Sequence, residues 1–413
     1  MTNPASTAGT GRVAGDTDIA AFVTSVRTWL ATVAGPRIGR RWGVGSDSVA
    51  VFENWTAEQE REHTSRIQDY ERARFDAGFG ALTWSAEYGG RGLSVAHELA
   101  FQGVEAGFDV PRRTEMFPVT QQLVAPAIAQ WGTPPQRDRY VRAMLRTDVI
   151  ACQLFSETEA GSDLAAVRSR AVRDGDGWRL DGHKVWTSGA RVADLGIALC
   201  RTDFGAAKHA GLTMFLVPMG ADGVTVSPIR QMTGGSSFNE VRLESVQVDD
   251  DARLGPVGAG WKVALTVLAA ERLDSGTLGL ENADRAVELA RHQAESQALD
   301  DPGRDAIADL ITRSYVQRLT GMRVAAAVVA GSDPGPEASV GKLLATDTMA
   351  RTSEVVRLLL GPDLVVDPGR WGTWAWTEHV LGAPGYRIAG GTDEIQHNIL
   401  AERVLGLPRE PRP

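Results

Sequence analysis

Four stretches of the chain carry residues that could hold or transform a small molecule. In CQLFSETEAGSDLAAV, Cys152 to Val167, Gly161 lets the backbone approach a flat or anionic group, while Ser156, Ser162 and neighbouring amides offer hydroxyls and N–H donors. Such a set suits a ring edge and a pyrophosphate, although a polar loop capping a strand has the same composition. In HKVWTSGA, His183 to Ala190, Trp186 and Ser188 set an aromatic face beside a hydroxyl; alone, a Trp on a hairpin is more often core than ligand contact. In GWKVALTVLAAERLDSG, Gly260 to Gly276, Glu271 is a carboxylate on a helix, and Ser275 at the i+4 spacing supplies no cation for the ordinary surface pair. General-base chemistry needs one such carboxylate. In IAGGTDEIQHNILAERVLGL, Ile388 to Leu407, Gly390 and Gly391 precede Thr392, and Gly390 offers a backbone N–H with no side chain.

Composition sets outer limits. At 413 residues and 43% hydrophobic content the chain could form two or three packed units with buried cores. Cys152 and Cys200, the two cysteines, make neither a disulfide framework nor a metal-type cluster and suit a reducing cytoplasm as free core thiols. The N-terminus, MTNPASTAGTGRVAGD, has no basic n-region or apolar run, and no segment approaches ~18 uninterrupted apolar residues. The expectation is a cytoplasmic protein, neither secreted nor membrane-spanning. A net charge of -9 argues against non-specific nucleic-acid binding but leaves room for an anionic cofactor, which needs only a local pocket.

The elements that must position these residues follow an α, β, α plan. Ile19, Phe22, Val23, Val26 and Leu30 have helical spacing, with Asp16 available as N-cap. Thr56 and Gln59 have capping-box spacing, and further helices extend to about residue 148, broken by the loop Glu87 to Ser94. Ala171 to Arg173, the turn Asp174 to Gly177 and Trp178 to Thr187 read as a hairpin, because Asp-Gly tolerates positive φ. Strands follow at Leu195 to Cys200, Leu212 to Val217, Val224 to Ile229 and Val241 to Val248. After Gly260 the helical pattern returns, interrupted by the Pro/Gly loop Gly331 to Ser339. The reading is therefore a disordered 1–15, an N-terminal α-helical domain over 16–149, a central β domain over 150–252 and a C-terminal helical domain over 253–413.

Together these motifs, in this order over about residues 80 to 407, resemble the acyl-CoA dehydrogenase family. The resemblance implies an α+β fold with an N-terminal α-helical domain, a central β-barrel-like domain and a C-terminal four-helix bundle. It implies FAD as cofactor, with contacts falling on Phe155, Ser156, Gly161, Ser162, Trp186, Ser188, Thr392 and Glu394, and with Ser188 reaching flavin N5. It implies α,β-dehydrogenation of an acyl-CoA or carrier-bound thioester in lipid catabolism, by α-proton abstraction and β-hydride transfer to the flavin. Many relatives carry the base just before the G-T pair, where this chain has Gly390. Others carry it on the first long helix after the β domain, in a run like this chain's, and there it falls on Glu271. Gly390 keeps the N–H that polarises the thioester carbonyl and frees side-chain volume, which favours a branched, aromatic or polycyclic acyl group. The segment Arg230 to Val248 resembles the family's closing β-domain strand and reads as architectural.

Some of the family's pattern is replaced. The R-x-x-F-G motif, through which a neighbouring subunit contacts FAD, gives way to Ala290 to Leu310, and the usual Q-x-x-G-G-x-G to RLLLGPDL, Arg357 to Leu364. The combination resembles actinobacterial members assembled from two related chains. The implied partners are an acyl-CoA thioester, an electron-transfer flavoprotein, and either further copies in a dimer or tetramer or a related chain in a heterotetramer. Two other readings stand beside the dehydrogenase: a non-catalytic partner subunit completing a sister chain's flavin site, and a flavin monooxygenase on the same fold, for which Glu271 has no role.

Overall fold

The computed structural model describes residues 18–37, 48–271, 278–295, 299–332, 335–366, 368–373 and 376–409, the side chains of residues 270 and 271 excepted. The stretch expected to be disordered, 1–15, lies outside them. Helix α1 (Ile19–Val33) buries Phe22, Val26 and Leu30, one stripe at four-residue spacing. Its cap is Asp18, whose carboxylate accepts from the Ala20 N–H at 3.0 Å; the expected cap, Asp16, is outside the described residues. Helix α2 (Ala57–Asp76) opens on the expected capping box, Thr56 and Gln59 each satisfying the other's backbone N–H. Helix α3 (Val95–Glu105), the short α4 (Met116–Pro118), a π-helical turn at Val119–Val124, α5 (Ala125–Trp131) and α6 (Pro134–Leu145) complete the first helical part.

Eight strands follow: β1 (Ala151–Leu154), β2 (Arg170–Asp174), β3 (Gly177–Ser188), β4 (Leu195–Arg201), β5 (Leu212–Pro218), β6 (Val224–Ile229), β7 (Phe238–Asp249) and β8 (Arg253–Leu254). The predicted hairpin is β2–β3, paired antiparallel from Arg170 opposite Asp181 to Asp174 opposite Gly177. The path runs β6-β7-β3-β2-β4-β5-β8, with β1 beside β4. Its halves meet through one parallel pair, Arg170 opposite Arg201, and fold face to face over a common core that includes Leu154, Trp178, Ala198, Phe215 and Val241. That folding of one sheet over a single core gives it its barrel-like character, with the two ends of the path, β6 and β8, not paired to each other. Strand β1 was not expected as a strand: ACQL has neither β-branched residues nor alternation, and its conformation comes from the distant parallel partner β4.

The chain then returns to helices: α7 (Gly260–Glu271), α8 (Leu280–Ala294), α9 (Asp301–Val329), α10 (Ser339–Leu360), α11 (Trp376–Tyr386) and α12 (Asp393–Ile399), followed by a π-helical turn at Leu400–Val404. Helices α8 to α11 enclose one core of Ala283, Leu289, Leu310, Val356 and Trp376, the expected bundle. The segregated helices and sheet make this an α+β fold. Helix α7 belongs elsewhere. Its Val263, Ala264 and Val267 join a core shared with Ile128 of α5, Met144 of α6 and Met214 of β5. It can enter this core because Gly260 has no Cβ: one there would lie 2.6 Å from the Thr213 backbone. The helix carrying Glu271 is thus fixed against both the sheet and the N-terminal helices.

Candidate active site

A cleft of about 730 Å³ opens where these three parts meet. Ser188 from the end of β3 and Gly390 from the loop after α11 both line it, brought together from opposite ends of the sequence. Beside them stand Phe52, Glu115 and Tyr386, which sequence reasoning missed, and Ser236 and Ser237. The last two belong to the stretch read as architectural, which is therefore part of the cleft wall. From this wall an aromatic row leads outward: Tyr386 and Phe52, which line the cleft, stack at 5.1 Å, Phe52 meets Phe238 at 5.1 Å, and Phe238 meets Trp186 edge-on at 6.0 Å, the last two rings standing outside the lining.

Strand β3 delivers two candidate residues through a bulge. Its register against β7 shifts between Lys184 and Thr187, and Trp186 lies there at φ 62° with 60% of its surface exposed. A tryptophan at positive φ is strained, at a cost on the order of 1–3 kcal/mol, and such strain gathers at binding sites. Its exposed ring is an open platform for a flat ligand. The neighbouring Lys184 is buried and donates to the carbonyls of Phe155 (3.1 Å) and Leu199 (2.7 Å) and to Glu157 (2.8 Å). Burial raises the Glu157 carboxyl, but Lys184 and the hydrogen bonds from Ser169 and Arg168 together outweigh it and hold the group below its ordinary range. Glu157 in turn accepts from the Arg168 and Ser169 N–H groups, closing the loop after β1 on itself.

That loop holds four more candidates. Phe155 is 3% exposed, its ring spent on the core, so only its backbone can face a ligand. The Ser156 carbonyl accepts from the Val185 N–H at 2.9 Å, which lays the loop alongside β3. Gly161 and Ser162 are exposed, and nothing lies within 4 Å of where a Gly161 Cβ would be. Open backbone on a loop laid along the strand that carries an exposed tryptophan suits a flat, phosphate-bearing ligand.

Past α11 the chain makes a glycine turn. Gly390 and Gly391 take φ of 65° and 86°, the left-handed region that favours glycine. Gln396, buried on α12, donates to both of their carbonyls, at 2.9 and 3.3 Å. Among the described residues the Gly390 N–H has no acceptor, so it is available to the cleft. Thr392 caps α12 by accepting from the Ile395 N–H at 3.2 Å. Glu394 is exposed, and its own N–H and the Thr392 hydroxyl hold its carboxyl low. These two are engaged with each other rather than with the cleft lining. The turn is anchored by Asp393, which sequence reasoning also missed: it receives Arg387 (2.7 Å), Lys342 (3.0 Å) and Thr346 (3.1 Å). Glu271 is the last residue of α7, four positions after the buried Val267; its side chain, with Arg272 and Ser275, lies outside the described residues.

Comparison with known proteins places this geometry. Models of the acyl-CoA dehydrogenase N-terminal, middle and C-terminal domains match residues 49–148, 152–246 and 258–405. The acyl-CoA dehydrogenase IpdE1 of Mycobacterium tuberculosis (strain ATCC 25618 / H37Rv) is 36% identical over 405 residues, covering 95% of this chain and 99% of that one. The acyl-CoA dehydrogenase FadE34 of the same organism is 38% identical over 93% of this chain, which spans 52% of that longer protein. Among solved structures, a Tcur3481-Tcur3483 steroid ACAD superposes with a TM-score of 0.73 at 25% identity, covering 95% of this chain and 98% of that chain. The ChsE4-ChsE5 complex from Mycobacterium tuberculosis gives 0.72 at 26%, covering 97% and 100%.

Proposed function

The chain belongs to the acyl-CoA dehydrogenase family, whose members are FAD-dependent oxidoreductases acting on CH–CH bonds, and we propose that it desaturates a bulky acyl thioester with Glu271 as base. The observation that carries this is a cleft that gathers Ser188 from the end of β3 and the Gly390 N–H, which has no acceptor among the described residues. The exposed Trp186 ring, the Ser188 hydroxyl and the open backbone at Gly161 fit FAD, and they would hold its ring and phosphates. Bound there, FAD supplies the acceptor for a hydride from Cβ.

The remaining work falls to the chain's own groups. Glu271 takes the α-proton from the face opposite the hydride acceptor. The Gly390 N–H donates to the thioester carbonyl oxygen, where negative charge builds as the proton leaves. The stacked rings of Phe52 and Tyr386 in the cleft lining keep water from the enolate-like species. Leu278, further along the connection from Glu271, lines the cleft, which supports the end of α7 as the source of the base. The bare Gly390 turn and the likeness to a structure titled a steroid ACAD support a polycyclic acyl group. The two buried thiols suit a reducing cytoplasm, and an electron-transfer flavoprotein would reoxidise the cofactor.

A second reading concerns assembly. One solved relative at 25% identity is titled by a paired name, Tcur3481-Tcur3483, and another at 26% is titled a complex of ChsE4 and ChsE5. Together with the replaced R-x-x-F-G stretch, these favour a related second chain supplying the rest of the flavin site. Anaerobic addition of a panel of acyl-CoA thioesters to the purified protein, alone and with candidate sister chains, tests both. The expected result is bleaching of the flavin absorbance by a polycyclic thioester. Bleaching confined to short linear thioesters would contradict the substrate class, and a colourless chain that regains flavin with a partner would establish the heteromer.

A further inference from the structure

The cleft contains a carboxylate that the base-and-oxyanion scheme leaves unused. Glu115, just before α4, accepts from Ser188 Oγ at 3.2 Å and from the Tyr386 hydroxyl. The three residues come from the N-terminal helices, the sheet and the C-terminal helices, and stacking on Phe52 fixes the Tyr386 ring. A serine hydroxyl has one proton and two lone pairs. While that proton points at Glu115, Ser188 offers any other neighbour only lone pairs.

We propose that Glu115 is a positioning residue that acts through Ser188, committing its proton so that Oγ accepts a hydrogen bond from the cofactor instead of donating one. The proposal rests on the reading that Ser188 faces flavin N5. Oxidised FAD presents a bare acceptor at N5, and two-electron-reduced FAD presents an N–H. A Ser188 Oγ restricted to accepting has nothing to give the first and a good partner for the second, so the pair Glu115 and Ser188 favours the reduced cofactor. Glu115 is not a rival base under this reading. The base must stand across the Cα–Cβ bond from N5, whereas Glu115 is bonded to the side chain that contacts N5 itself. The negative charge of Glu115 acts the other way, opposing electron uptake, so the part that runs through Ser188 must be separated from the charge.

A double-mutant cycle makes that separation. The midpoint potential of bound FAD is measured without substrate, in whichever assembly retains the cofactor, for the unmodified protein, Glu115→Ala, Ser188→Ala and the double variant. The expected result is that Glu115→Ala moves the potential lower with Ser188 present than the same replacement does in the Ser188→Ala background. Glu115→Leu, which keeps much of the side-chain volume and, like alanine, cannot accept the Ser188 proton, provides the same comparison should the alanine variant fail to fold. Equal changes in both backgrounds overturn the proposal, because Glu115 would then act by charge alone. If Ser188→Ala by itself leaves the potential and the flavin spectrum unchanged, the failure belongs to the placement of Ser188 at N5, and the proposal falls with it.

Discussion

At Gly390 a missing side chain is tied to backbone conformation. With φ at 65°, any other residue would carry the left-handed penalty of roughly 1–2 kcal/mol. Gly390→Ala is therefore expected to lower unfolding free energy by about that amount in urea titrations, and to reduce kcat/KM for polycyclic thioesters more than for linear ones. An alanine variant as stable as the parent, with unchanged selectivity, would remove Gly390 from the account. Gly390, Ser188 and Trp186 could be singled out from the sequence because each sits in a local motif. Glu115 and Tyr386 were not, because they are 271 positions apart and neither lies in a motif singled out for chemistry. The strain at Trp186 was equally hidden, since it arises from the pairing of β3 with β7.

At the scale of elements, the glycine turn depends on the clamp between α10 and α12. Burial raises the Asp393 carboxyl, but hydrogen bonds from Arg387 and Lys342 outweigh it, so the folded value lies below the ordinary one of about 3.9. A carboxylate with a lowered folded pKa stabilises the fold above its unfolded pKa and loses that contribution as pH falls through the folded value. Asp393→Asn leaves Lys342 buried without its counter-charge and is expected to cost about 3 kcal/mol near pH 7. That deficit should begin to shrink as pH falls below the unfolded value of about 3.9 and go on shrinking through the lower folded value. A deficit independent of pH would show that packing, not charge, is what the clamp provides. Replacing Thr56 by Ala removes the capping box of α2 and should cost ~1 kcal/mol with the flavin spectrum unaltered. The capping box, the hairpin and the later strands could be read from sequence because they rest on local spacing. Strand β1 takes its form from its distant partner β4, and local spacing carries no trace of it.

At the scale of the molecule, the α, β, α order was legible from the change in hydrophobic period, while the shared core that locks α7 between sheet and helices was not. One surface of the bundle stays apolar. On α9, Ile311, Tyr315, Leu319 and Met322 follow helical spacing at 45%, 61%, 46% and 67% exposure, a stripe suited to another helical bundle. Sedimentation velocity is expected to show an oligomer, homomeric or mixed, and Leu319→Glu with Met322→Glu should dissociate it; a monomer at all concentrations would contradict this. Glu271 as the base is tested by single-turnover bleaching of bound FAD with an active thioester, compared between the parent and Glu271→Gln in the same assembly. Bleaching is expected to slow by about 10²–10⁴-fold or more with FAD content and oligomer unchanged. Bleaching at the parental rate would mean that the α-proton leaves to a different group.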